Sequence, residues 1–374
     1  MLKRCIVHIP FFIGGSQQPS GSQIRPMKII QAFKNIGYEV DVVSGYAADR
    51  KQKINKIKEN INNGAKYDFL YAENYTEPTL LTQSHHLPTH PFLDFGFFKF
   101  CKDNGIKIGL FYRDVYWRFD IYKQSVGTLK TAVATTFFKY DLRKYNELLD
   151  VLYFSDDKMY EYLPFDFKGK IDELPPGIDT SINKASEARE TQDNGKIQIF
   201  YVGGIGELYN MEKLFEAVSI TDNVFLTVCC REGEWKSWKP KYEKHLNDRI
   251  TIIHKSGKDL IPHMEGADLL SLYFEPVEYR TICVGVKMYE YMTYKRPLLS
   301  TKNTSMGNTV ENYGIGYNIE YSVEELVKLF NELKNDKSLL NEKINKIEEI
   351  FDNHTWEARA RKVARDLSKE NRGE

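Results

Sequence analysis

The sequence predicts an α/β protein of two successive domains, each a parallel sheet with helices on its faces. Three observations predict it. At 374 residues the chain is too long for one ordinary core and suits two domains of roughly 150–200 residues each. Short apolar runs alternate with stretches at helical spacing from end to end, the pattern of repeated β–loop–α–β units. Near the middle, "ELPPGID" (173–179) breaks that alternation with two prolines and a glycine, a stiff extended connector.

The elements follow in order. Residues 4–12 read as an apolar strand running into the loop "GGSQQPSGSQ". "IRPMKIIQAFKNIG" carries apolar residues at helical spacing and a C-cap glycine at Gly37. "YEVDVVSG" is the next strand. "KYDFLYAEN" (66–74) is a strand after a polar helix, "FLDFGFFKFCKDNG" (92–105) a helix, and "IKIGLFYRD" (106–114) a strand. "TTFFKYDLRKYNELLD" (135–150) is helical, "VLYFSD" (151–156) a strand, and "MYEYLPFDF" a short helix halted at Pro164. After a polar stretch (182–196) the alternation restarts with the strand and glycine loop "IQIFYVGGIG" (197–206). Helix "NMEKLFEAVSI", strands "VFLTVCCREG" and "RITIIHKSG", short helix "LIPHMEGAD" and strand "LLSLYFEP" (269–276) come next. "KMYEYMTYKRPLLST" (287–301) gives a helix and a strand, and "IGYNIE" a last strand. Residues 323–350 are expected to be helical, and "HTWEARARKVARDLSKE" ends the chain as a charged amphipathic helix.

Composition narrows the function. With 42% hydrophobic and 28% charged residues and zero formal net charge, the chain is a globular protein with no global field for nucleic acid. Its five cysteines lack a C-x-x-C pair and make neither a disulfide framework nor a zinc site. "MLKRCIVHIPFFIGG" is interrupted by His8 and Pro10, which favours a buried strand over a signal peptide. No apolar stretch approaches the ~20 residues of a spanning helix. A soluble or membrane-surface cytoplasmic protein is expected.

Ligands of open α/β sheets bind beyond the C-terminal strand ends. Those ends offer Gly14–Gly15, Arg113–Asp114, Gly203–Gly204, Arg231, and Glu275 to Thr281 with Arg280. The glycine pairs let a backbone approach a phosphate, with a helix N-terminus behind; a tight βα turn would use them equally. Arg231, Arg280 and Lys287 suit a diphosphate, against the alternative of solvated surface charge. Glu290 lies one helical turn after Lys287 among Met288, Tyr289, Tyr291 and Met292. Its carboxylate could accept from two vicinal ribose hydroxyls or pair with Lys287. His85, His86 and His90 read as a polar loop, so no metal site is expected.

The order of these pieces resembles the GT-B glycosyltransferases, most closely glycosyltransferase family 4 (group 1). The likeness runs along most of the chain and is strongest from about 150 onward. "ELPPGID" resembles the family's domain linker, and "IFYVGGIGELYNMEKLFEAV" its second-domain strand–loop–helix. "ADLLSLYFEP" and "KMYEYMTYKRPLLST" resemble the donor-site strand and helix. "NTVENYGIGYNIE", with Glu311 and Gly316, and "HTWEARARKVARDL" resemble the following segment and the C-terminal helix.

The resemblance implies two Rossmann-like domains with parallel sheets facing an interdomain cleft. It implies residues 1–172 as acceptor domain, with a returning helix at 355–374, and residues 173–354 as donor domain. It implies a nucleotide-sugar donor that is a substrate, with no cofactor and metal-independent transfer. Glu290 corresponds to the second glutamate of an E-x7-E motif that holds the ribose, Gly15 to the N-terminal glycine loop, and Gly203 to the loop under the diphosphate. Asp114 corresponds to the Asp of a His-Asp pair whose His is replaced by Arg113. The first glutamate of E-x7-E is replaced by Ile282; Glu275 or Glu278 could substitute. The family's two phosphate cations are replaced by Gly204 and by Tyr209 or Asn210, leaving Arg231, Arg280 and Lys287 to carry leaving-group charge.

Between 97 and 145 ten basic residues face four acidic ones, interleaved with aromatics. Such a surface suits an anionic bilayer, ordinary helix surface over an aromatic core suits it equally, and Tyr116 or Trp117 could stack on a sugar. The expected function is transfer from a uridine-based nucleotide sugar to a glycan or polyprenyl-diphosphate-linked acceptor in cell-surface polysaccharide synthesis, with retention, in the cytoplasm or at the inner face of the membrane. No nucleic acid partner is expected. The alternatives are a catalytically silent partner subunit or glycan-binding module, and a nucleotide-sugar epimerase or phosphorylase.

Overall fold

The computed structural model describes residues 3–13, 21–181 and 195–368. The chain divides into two compact units, residues 1–177 with 356–374, and residues 178–355.

The first unit runs β1 (Lys3–Ile9), α1 (Gly21–Asn35), β2 (Tyr38–Ser44), α2 (Ala47–Asn62), β3 (Phe69–Glu73), α3 (Leu93–Asp103), β4 (Lys107–Phe111), α4 (Asp120–Val126), α5 (Thr128–Leu148), β5 (Val151–Phe154) and β6 (Lys170–Glu173). All strand pairs are parallel, in the order β2-β1-β3-β4-β5-β6. Every residue of β3 is buried, as expected for a parallel strand covered on both faces. The strand order reverses between β1 and β3, which opens a crevice beyond their C-terminal ends.

The second unit runs β7 (Ile197–Val202), α6 (Glu212–Ile220), β8 (Val224–Cys229), α7 (Glu232–Tyr242), β9 (Ile250–Ile253), α8 (Ile261–Gly266), β10 (Leu269–Leu272), α9 (Val286–Thr293), β11 (Leu298–Thr301), α10 (Ser305–Tyr313), β12 (Gly316–Ile319), α11 (Val323–Asn335) and α12 (Ser338–Ile350). Its sheet is also parallel, in the order β12-β11-β10-β7-β8-β9. Here the reversal falls between β7 and β10, the dinucleotide-fold order. One core joins both faces, with Leu214, Phe215 and Val218 of α6, Met288 and Met292 of α9, and Leu326 and Phe330 of α11.

The last helix, α13 (Trp356–Leu367), belongs to the first unit and packs on α1, β3 and β4. Gly109 makes room for it: a Cβ there would lie 2.8 Å from the Leu367 side chain. Polar ties add to the seam. Arg359 Nε donates to the carbonyls of Pro175 and Pro176 at 3.1 and 3.2 Å, and Tyr153 donates to Asp366 at 3.1 Å.

Local structure departs from expectation in several places, among them the helices α4, α7 and α10, which have no counterpart in the pattern of the sequence. The helical stretch 323–350 is two helices, because Asp336 turns extended and its carboxylate caps the Ser338 amide at 2.9 Å. Residues 157–162 form a 3-10 helix. The strand β6, "KIDE", is absent from the pattern reading because only Ile171 in it is apolar.

Candidate functional site

The strand-order reversal of the second unit places three chain segments together. β7 ends in Gly203–Gly204, β10 runs on to Phe274 and Glu275, and α9 presents Lys287 from its first turn. Gly203 has φ +152°, and a Cβ on it would fall on the Lys287 ammonium. Its N–H donates to the Cys229 carbonyl at 2.9 Å, which fixes the loop against β8. The missing side chain is therefore what admits Lys287 to the strand end.

Lys287 Nζ donates to the Tyr201 hydroxyl at 3.1 Å. It lies 4.3 Å from the centre of the Tyr201 ring, 5.2 Å from Tyr209 and 5.8 Å from Phe274. Arg280, buried in the turn before α9, donates through Nε and Nη2 to the Leu208 carbonyl at 3.1 and 2.5 Å. Its guanidinium sits 4.4 Å from the Tyr209 ring centre and 5.0 Å from Phe274. Two cations thus share one aromatic wall, and among the described residues neither forms an ion pair. Burial pushes the Lys287 ammonium down to about 7; Arg280 pushes the same way, and Glu290 and Glu234 oppose. Desolvated cations of this kind gain most from an anion that accepts from both.

The other candidates fall around this pair. The Gly204 carbonyl accepts from the Tyr201 hydroxyl at 2.5 Å. Glu290 is partly buried, one turn beyond Lys287. Arg231 is well exposed and donates to Glu234 Oε1 at 2.5 Å. Glu275 Oε2 accepts from Asn210 Nδ2 at 2.6 Å, so that carboxylate already has a partner. Thr281 donates to the Glu278 carbonyl at 2.7 Å. Ile282 is 2% exposed and packs inward.

Pattern reading missed four contributors. Tyr201, Tyr209 and Phe274 line the cations, yet Tyr201 and Phe274 look like core in a strand pattern. Glu234 reaches back from α7, and its Oε2 accepts the Ile205 amide of the glycine loop at 3.3 Å.

In the first unit, Arg113 follows β4. Its Nη2 donates to Glu73 Oε2 at 2.7 Å and its Nε to the Asn74 carbonyl at 3.2 Å. Burial lowers the Arg113 pKa; Glu73 opposes, and Arg25 adds to the lowering. Glu73, fully buried, also accepts from Arg25 Nε at 3.2 Å and from the Tyr71 hydroxyl at 2.9 Å. Asp114 accepts the Tyr116 amide at 2.7 Å and so shapes the turn after β4. Trp117 is 5% exposed, stacked on Phe138 with centroids 5.1 Å apart; it is core, and not the sugar platform considered from sequence. Gly15 lies outside the described residues. His85, His86 and His90 are exposed, with His86 Nδ1 3.2 Å from Glu77. Among the described residues, Asp156, Asp157 and Glu173, beside β5 and β6, form a group of three carboxylates within cation-binding distance of one another.

Two consecutive parallel six-stranded units with these strand orders define a protein of the GT-B class. Residues 183–368 match the family model for glycosyl transferases group 1. Solved structures share the fold at low identity. HepE from Anabaena, in complex with UDP-glucose, is 12% identical with a TM-score of 0.62, over 96% of this chain and 98% of that one. WaaG, a glycosyltransferase involved in lipopolysaccharide biosynthesis, is 14% identical with a TM-score of 0.59, over 97% and 100%. Sucrose-phosphate synthase from Thermosynechococcus elongatus is 13% identical with a TM-score of 0.58, over 96% and 97%. No curated protein sequence matches the chain.

Proposed function

We propose that this chain is a glycosyltransferase that moves a sugar from a UDP-linked donor, held by the 178–355 unit, to a hydroxyl of a glycan or lipid-linked acceptor. The observation that carries the reading is the pair Lys287 and Arg280, without an ion-pair partner among the described residues, beside the Gly203–Gly204 loop at a strand-order reversal. The acceptor oxygen bonds to the anomeric carbon as the bond from that carbon to the diphosphate breaks, and the acceptor's proton passes to the leaving diphosphate. Lys287 and Arg280 take up the charge that develops on the leaving diphosphate, which suits metal-independent transfer. Glu290 accepts from the ribose hydroxyls. Retention of configuration follows from the resemblance to family 4.

UDP-glucose in HepE supports a UDP-linked donor, and the role of WaaG supports cell-surface polysaccharide synthesis. A membrane-surface acceptor is supported by exposed apolar groups in the first unit. Leu129 is 80% and Val133 49% exposed, and exposed Arg118, Lys123, Lys130, Lys139 and Arg143 surround them in sequence. No helix among the described residues is long and apolar enough to cross a membrane, so contact would be peripheral, which we place at the inner face of the cell membrane. The buried Ile282, where a donor-sugar carboxylate was expected, favours a second reading as a donor-binding subunit without turnover.

A panel of UDP-, GDP- and CMP-sugars, read by thermal shift and by release of free sugar, tests the proposal. Binding of a UDP-sugar with slow hydrolysis, accelerated by membrane extract as acceptor source, is expected. Binding without any turnover favours the second reading, and no binding to any nucleotide overturns both.

A further inference from the structure

Tyr201 sits at the centre of the cation site, on β7, fully buried. Its hydroxyl does two things at once. It donates to the Gly204 carbonyl at 2.5 Å and accepts from Lys287 Nζ at 3.1 Å. Burial holds the phenol protonated well above its ordinary range, so its single proton is committed to the glycine loop. Only its lone pairs then remain for Lys287. An ammonium donates to such an acceptor more strongly than a neutral amine does.

We propose that Tyr201 is a positioning residue that locks the glycine loop and the Lys287 ammonium into one unit shaped for a nucleoside diphosphate. The inference rests on the reading of Lys287 as a phosphate ligand. Around Lys287 the charged and titratable groups are Arg280 in the preceding turn, Glu290 on α9, Glu234 on α7, and Tyr201 and Tyr209 beside the loop. Arg280 and burial favour the neutral amine, while the two carboxylates and the Tyr201 oxygen favour the ammonium. Without the hydroxyl, Lys287 loses its only hydrogen-bond acceptor among the described residues, and the loop loses its tie at the Gly204 carbonyl and keeps that of the Ile205 amide to Glu234.

Titration of UDP by calorimetry from pH 6 to pH 9 tests this, on the wild type, Tyr201→Phe and Lys287→Met. Tyr201→Phe keeps the ring and its packing. It is expected to weaken UDP binding about tenfold at pH 7.5, the weight of one hydrogen bond to a charged group, and to move the midpoint of the pH dependence downward. Lys287→Met is expected to weaken binding and to flatten the pH dependence. If Tyr201→Phe leaves both affinity and midpoint unchanged while Lys287→Met does not, the role of Tyr201 is overturned and the phosphate reading stands. If Tyr201→Phe lowers the melting temperature alone, the residue is merely structural and the proposal is again overturned. If Lys287→Met binds UDP like the wild type, the reading beneath the proposal fails with it.

Discussion

Lys287 and Gly203 occupy one space: the ammonium lies where a Cβ on Gly203 would be. The glycine is therefore part of the cation site although it has no side chain to offer. Gly203→Ala is expected to displace Lys287 and weaken UDP binding at least tenfold, with a modest loss of melting temperature from the +152° backbone. Gly204→Ala is the control, since its Cβ would meet Tyr209 at an ordinary 3.6 Å. Calorimetry on the two variants should separate them; equal affinities would refute the placement.

Glu234 holds a position that a phosphate would seek. It accepts the Ile205 amide of the glycine loop at 3.3 Å and adds negative charge near Lys287. Glu234→Gln keeps an acceptor and removes the charge. UDP affinity is expected to rise several-fold, by the scale of one nearby unit charge in a partly buried site. Weaker binding in the variant would mean that Glu234 supports the loop in its bound form.

Glu73 bridges two guanidiniums, accepting from Arg25 and Arg113, and balances one of their two charges. Glu73→Gln removes the only carboxylate bonded to either among the described residues. The first unit is expected to lose about 3–5 kcal/mol, as when one partner of a buried ion pair is deleted. Urea unfolding measures this, and a loss under about 1 kcal/mol would place the cluster in contact with water.

Asp141 on α5 is buried, with Oδ2 accepting the Thr79 amide at 2.6 Å and Oδ1 without a partner among the described residues. Burial raises its pKa to about 7, the Thr79 hydrogen bonds oppose, and Asp94 adds to the rise. The folded state therefore holds a proton that the unfolded state has released between about pH 4 and about 7. Stability conferred by that proton is present below about pH 4 and falls as pH rises to 7. Asp141→Asn retains the acceptor for Thr79 and cannot ionise. The variant is expected to exceed the wild type by about 1–3 kcal/mol at pH 8, with the difference shrinking at pH 5. Unfolding curves at the two pH values check it; a difference that grows toward pH 5 contradicts it.

The surface at the start of α5 gives a fifth test. No residue of α4 is buried, and Leu129 and Val133 are one helical turn apart on α5. Flotation with vesicles of phosphatidylglycerol, against phosphatidylcholine alone, should show binding to the anionic lipid only. The double substitution Leu129→Glu, Val133→Glu is expected to reduce it more than tenfold without loss of fold. Unchanged flotation would leave the bilayer without a role.

Much of the fold was legible because parallel strands are short continuous apolar runs, and the helices between them keep a separate period. β6 was not, because "KIDE" has one apolar residue and is held by pairing with β5. The site was legible in part. Gly203, Lys287 and Arg280 stood at strand ends, where charge and glycine are conspicuous. Tyr201 and Phe274 did not, since a buried aromatic in a strand looks the same whether it packs on a Leu or on an ammonium. Arg231 reads as a phosphate ligand by position, but its guanidinium pairs with Glu234 three residues on, at the start of a helix that the strand pattern did not show.

The most direct test is a crystal structure with UDP bound. The diphosphate is expected within hydrogen-bonding distance of Lys287 Nζ, over the Gly203–Gly204 loop, with Glu290 on the ribose hydroxyls. Phosphates lying more than a water bridge from both Lys287 and Arg280 would contradict it.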